Sequence, residues 1–132
     1  MSLLRRVLYA QALLWAVTGL ALAFVPRFML HTVFGQVVGP EDAWVRIAGV
    51  ESIVLAMLMV LVAQRSDQVW WWSWAFVLLE AGVAVIAVTH VLFGLPPGSS
   101  SLLWWLLAAV GVVFAAALLL GLGRTGQERP LP

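Results

Sequence analysis

The 132-residue chain contains no cysteine, lysine or asparagine, and charged residues make up only 10% of it. Without cysteine there is no disulfide, no thiolate metal site and no cysteine nucleophile. Soluble domains carry about 25% charged residues, so these few charges cannot build a water-facing surface. Apolar residues are abundant instead, at 64% hydrophobic with a mean hydropathy of +1.05. The implied solvent is lipid. The expected fold is all-α: an integral membrane antiparallel four-helix bundle, a single domain over residues 1–132. A net charge of +1 offers no basic surface for nucleic acid, so charge bears on topology instead. All seven basic residues are arginine, a bias that points to a GC-rich bacterial genome and hence to an inner (plasma) membrane.

Four apolar runs, 7–25, 43–63, 69–93 and 102–121, approach or exceed the roughly 20 helical residues that cross a bilayer. The first follows Arg5 and Arg6 and contains Ala21-Leu22-Ala23, as a signal peptide would. Its length exceeds the usual h-region of about 7–15 residues and further spans follow, so a retained helix is expected. Residues 26–39 (PRFMLHTVFGQVVG) suit a short interfacial helix or a kinked continuation of the first helix, ending at Gly35. Pro40 fits the first position of the second helix. Glu41 and Asp42 then occupy its first turn, where carboxylates favour the helix dipole. Asp42 and Arg46 stand four apart with the acid first, the better order for a pair.

Residues 64–68 (QRSDQ) read as a tight polar turn, and 95–101 (LPPGSSS) as a break in which Ser100 or Ser101 caps the fourth helix. A polar, frayed tail is expected from Gly123 to Pro132. In the fourth helix Ala108, Gly111 and Ala115 share a face that permits close helix approach, a candidate seam for a homo-oligomer. Arg5, Arg6, Arg65, Arg124 and Arg129 collect on one side, against Arg27 and Arg46 near the other. That asymmetry places both termini in the cytoplasm. Tryptophans then fall at both boundaries as an aromatic belt, with Trp15 alone near mid-membrane.

The ionisable residues inside the spans are the candidates for function, because a charge at the bilayer centre costs about 2.5–3.5 kcal/mol even on insertion scales. Glu51 and Glu80 both come near the midplane, as does Thr18. Gln11, Trp15 and Thr18 recur at helical spacing and give the first helix a mildly polar face. Ser73, Val77, Ala84 and Ala87 share the face of Glu80. Arg46 and Glu51 lie about 140° apart around their helix, so they do not pair. The expected midplane site is therefore Glu51, Glu80, Thr18, Trp15 and Gln11. Three readings stay open: structural hydrogen bonding between helices, a small cavity for a polar head, a quinone or a relayed proton, and simple protonation of one acid.

Arg46, Asp42, His90 and His31 form a second candidate cluster at the outer rim. No ligand spacing such as HxxxH occurs, so interfacial residues reaching water fit better than a metal site. No catalytic constellation is apparent and no metal or other cofactor is predicted beyond a lipid or quinone. His31–Gly35 and His90–Gly94 repeat an H-x-x-F-G pattern 59 residues apart, with Gly39 and Gly98, and Trp15 and Trp74, at the same offset. Tandem parallel hairpins would produce such a repeat.

The run Arg46, Ile47, Gly49, Glu51 (R-I-x-G-x-x-E) opening the second of four short spans resembles the DoxX-like superfamily of small bacterial membrane proteins, its BphX-like branches above all. The resemblance covers about residues 6–122 in architecture and 46–51 in residues. It implies a four-helix bundle associated with membrane redox systems that use quinone. The thiol chemistry of some relatives is unavailable without cysteine. The function expected is a non-enzymatic accessory or lipophile-binding subunit, contacting the bilayer and a partner protein or further copies of itself. The alternative is a small proton-coupled transporter acting as an oligomer.

Overall fold

Four long helices account for most of residues 2–129, the part of the chain that the computed structural model describes. They are α1 (Leu3–Phe24), α2 (Ala43–Gln64), α3 (Ser73–Phe93) and α4 (Leu102–Glu128). Each is an apolar run with no internal proline, so nothing interrupts its backbone ladder. Lengths of 21 to 27 residues give about 30–40 Å, enough to cross a bilayer. At most 28% of the apolar window of any span is buried inside the bundle. Phe93, Trp44 and Leu78 stand 85%, 75% and 70% exposed. Apolar surface on that scale requires lipid, and the chain is an all-α, multi-pass integral membrane protein.

The helices form two hairpins, α1 with α2 and α3 with α4, joined chiefly where α1 lies on α4; α2 and α3 barely touch. Lipid supplies no hydrophobic drive between helices, so close backbone approach matters. In the first hairpin Gly19 meets Gly49: a Cβ on Gly49 would lie 2.5 Å from the Ala23 nitrogen and 2.7 Å from the Gly19 oxygen. The hairpin is also cross-capped. Arg46 of α2 donates to the Ala23 carbonyl of α1 at 2.7 Å, and Arg5 of α1 donates to the Ala63 carbonyl of α2 at 2.9 Å. Each bond satisfies a carbonyl left free at a helix C-terminus. Towards the terminal end, Leu4, Leu8, Met59, Phe76, Leu118 and Leu122 close the core.

The kinked continuation expected after the first helix is present, whereas Pro40 and the C-terminal tail depart from the sequence expectation. After Phe24 the chain kinks at Val25 and the buried Pro26, then winds one widened π-helical turn over Phe28–Val33. Gly35 ends it at φ +60°, a conformation open to glycine. Pro40 does not start α2: its carbonyl accepts a bond from Arg27 at 2.6 Å, and Asp42 takes the cap position. The expected frayed tail is helical to Glu128, since Gly121 lies against Leu4, Leu122 is buried and Gly126 lies against Trp70. Arg129 pairs with Asp67 beside it, and residues 130–132 fall outside the described part.

One further expectation is corrected by packing. The Ala108/Gly111 face is not a free seam: a Cβ on Gly111 would lie 2.8 Å from the Glu80 oxygen and 3.2 Å from the Ala84 Cβ, so α3 already fills it. The 59-residue repeat places its members in unlike settings. Trp15 is half-buried and hydrogen-bonded whereas Trp74 is 51% exposed, and Gly98 has φ +84° with no counterpart at Gly39.

Gly49→Leu should therefore separate α1 from α2 and lower thermal stability in detergent by about 2 kcal/mol or more. Gly82→Ala, where an added Cβ meets nothing within 4 Å, should be neutral or slightly stabilising. Equal losses in the two variants, measured by thermal unfolding, would contradict the Gly19–Gly49 crossing.

Candidate functional site

At the centre of the bundle α3 presents Glu80, only 3% exposed, to the polar face of α1. Gln11 Nε2 donates to Glu80 Oε1 at 2.6 Å, and Trp15 Nε1 donates to the same oxygen at 2.7 Å. Both distances fall at or below the range of charge-assisted bonds. The donors sit four residues apart, one helical turn, so they reach one acceptor from successive turns. Small or slim neighbours make room on α3: Ser73, Val77, Ala84 and Ala87 are all buried on the Glu80 face. Two buried atoms, Gln11 Oε1 and Ser73 Oγ, have no partner among the described residues.

Beside the carboxylate lies a cavity of about 200 Å³ lined by Trp15, Thr18, Ser52, Glu80, Leu107 and Val110, among others. Thr18, Leu22 and Leu107 also border a larger crevice of about 600 Å³ at the loop end. The crevice is walled by all four helices and roofed by the two connections, with Gln36, Glu41, His90, Ser99 and Trp104 as its polar points. The roof is stitched rather than loose. Ser100 N donates to the Gly35 carbonyl at 3.0 Å, and Gln36 Nε2 donates to the Ser100 carbonyl at 2.6 Å. Gln36 Oε1 accepts from Trp104 Nε1 at 3.0 Å, and the Trp104 ring packs tilted against His90, 4.2 Å between centroids.

Of the five midplane residues expected from sequence, Gln11, Trp15, Thr18 and Glu80 come together and Glu51 does not. Glu51 is exposed on α2, and it is its neighbour Ser52 that is buried and borders the cavity. The reason is angular: α2 buries Gly49, Ser52, Ala56, Met59 and Ala63, a stripe that turns Glu51 about 100° or more away. The outer-rim cluster also divides. Asp42 lies 3.4 Å from both Arg27 and Arg46, His90 belongs to the crevice, and His31 is exposed on the π turn. No group of three or more metal-ligating side chains occurs among the described residues. Gln36, Ser52, Ser99 and Trp104 were not anticipated. Gln36 alone had a signal, a polar residue between apolar neighbours directly after a turn glycine.

The hydrogen bond from Arg46 holds the Asp42 carboxyl below its ordinary value of 3.8, with further help from the charges of Arg46 and Arg27. A depressed value means the stabilisation is present above 3.8 and is lost as pH falls through the folded value. Asp42→Asn should be less stable than the parent near neutral pH, and acidification should close that gap. A gap independent of pH would rule out the ion pairs as its source. In the site, Trp15→Phe should cost about 0.6–2 kcal/mol, the range for an interhelical hydrogen bond in a membrane. Gln11→Leu should cost less, because it also removes the unpartnered Oε1. Glu51→Leu, which breaks no bond seen here, should leave the melting temperature unchanged or raised. In comparisons with protein-family models, curated proteins and solved structures, nothing matches this chain.

Proposed function

We propose that this protein is a non-enzymatic lipophile-binding subunit of a bacterial inner membrane, holding a lipid or quinone-like molecule in the crevice at its loop end. The supporting observation is the crevice itself. Its volume of about 600 Å³ lies within the roughly 300–1,000 Å³ typical of ligand pockets. Its walls are mainly apolar, with a few placed polar groups to orient a head. The arginine asymmetry puts the termini in the cytoplasm and the crevice in the outer leaflet. The likeness of residues 46–51 to DoxX-like proteins agrees with an accessory role, although Arg46 and Gly49 also have packing reasons for their identity. Transport through an oligomer has less support, since α3 occupies the face expected to form its seam.

Native mass spectrometry of protein extracted from membranes in mild detergent should show an apolar small molecule bound. Leu103 lines the crevice and is half-buried, so Leu103→Trp should fill the space and abolish that adduct while the melting temperature stays near the parent's. Full retention of the adduct in a folded Leu103→Trp variant would show that the crevice is not the binding site.

A further inference from the structure

The chemistry at the inner end of the chamber narrows the ligand class. Both N–H donors go to Glu80 Oε1, and among the described residues no side-chain or backbone donor reaches Oε2. Ser52 borders the cavity, but its hydroxyl is turned to the Ala48 carbonyl at 2.7 Å. None of the ion pairs among the described residues includes Glu80. No other titratable side chain lines the cavity; His90 and Glu41 line the crevice with which it shares Thr18, Leu22 and Leu107. Two donors on one oxygen favour negative charge there, while apolar walls penalise a carboxylate that lacks a counter-ion. A cation brought to Oε2 resolves that conflict, and the protein side chains around the cavity include none.

We propose that the inner cavity receives the protonated amine of a lipophilic amine. Its ammonium donates to Glu80 Oε2 beside the indole of Trp15, and its apolar remainder extends past Thr18, Leu22 and Leu107 into the crevice. This rests on the reading of the crevice as a lipophile site and adds the charge and chemistry of the bound head. An anionic amphiphile is rejected at Glu80, and a neutral alcohol gains one weaker bond. Ammonium and proton compete for the same oxygen, so amine binding weakens as pH falls.

The test is calorimetric titration of the detergent-purified full chain with dodecylamine, dodecanol and dodecanoate, for the parent, Glu80→Gln and Leu103→Trp. The amide oxygen introduced by Glu80→Gln keeps an acceptor for Gln11 and Trp15, and comparing proteins at one detergent concentration cancels micelle partitioning. The parent should prefer dodecylamine over dodecanol by about tenfold or more, with dodecanoate weakest. Glu80→Gln should lose that preference and keep dodecanol binding. A parent without preference for the amine, or a Glu80→Gln variant that retains it, overturns the proposal. If Glu80→Gln does not fold, the parent alone still decides, since amine affinity that fails to weaken with falling pH also overturns it. Dodecanol binding that Leu103→Trp removes would leave the crevice reading standing while the amine proposal falls, whereas no binding of any probe would defeat both.

Discussion

The bundle depends on one polar junction, the pair of N–H donors from Gln11 and Trp15 meeting a single oxygen of Glu80. Gln11 and Trp15 belong to the first hairpin and Glu80 to the second, so the junction ties together two units that otherwise meet mainly along α1 and α4. In water, burying apolar side chains would drive that association. In lipid the tails are as apolar as leucine, and hydrogen bonds and close packing must do it. Interhelical bonds of this kind contribute about 0.6–2 kcal/mol in membranes. That is small, but few other polar contacts join the hairpins at this depth. The junction also determines which oxygen of Glu80 is committed to the fold and which is left without a donor among the described residues.

The two ends of the molecule are built on different principles. At the terminal end Arg5 ties α1 to Ala63 and Ser66, Arg129 ties α4 to Asp67, and large apolar side chains fill the space between the helices. At the loop end α1 and α2 cross closely, but α2 and α3 have almost no mutual contact and leave a gap. The chain spans that gap with its two long connections: the segment around Gly35 and Gln36 lies across the segment around Ser99 and Ser100. A roof made from two hydrogen-bonded loops covers the opening without filling it. The crevice thus follows from placing the long connections at one end and the tight turn at the other.

Much of this was legible in the sequence, and the exceptions have identifiable causes. The four spans follow from hydropathy and length, and the faces of α1 and α3 from the helical spacing of Gln11, Trp15 and Thr18 and of Ser73, Val77, Glu80, Ala84 and Ala87. Glu51 was placed by depth alone. Its azimuth was also encoded, in the small residues Gly49, Ser52, Ala56 and Ala63, which mark the side of α2 that lies against protein. The extension of α4 through Gly121, Gly123 and Gly126 reads as a breaker-rich tail because intrinsic propensity penalises glycine. Tertiary contacts of Gly121 with Leu4 and of Gly126 with Trp70 override it. The loop-to-loop stitch through Gln36 joins residues 64 apart and has no local signature.

The two glutamates in the spans differ in how the fold meets them. Glu51 stands eight residues into α2, about 12 Å from its start, among Trp44, Ile47, Val54 and Leu58, which are 46–75% exposed. No side chain of the described residues donates to it. Glu80 is met by the fold on one side only. A carboxylate wanted purely as a cross-link between helices would be expected to have both oxygens bonded or packed, because a half-satisfied buried group is more costly than an apolar one. Glu80 instead has one oxygen fixed by two donors and the other without a donor among the described residues, and it lines a cavity that shares Thr18, Leu22 and Leu107 with the crevice. The fixed oxygen sets the direction of the free one, so the bonds that hold the hairpins together also decide where the remaining acceptor of Glu80 lies.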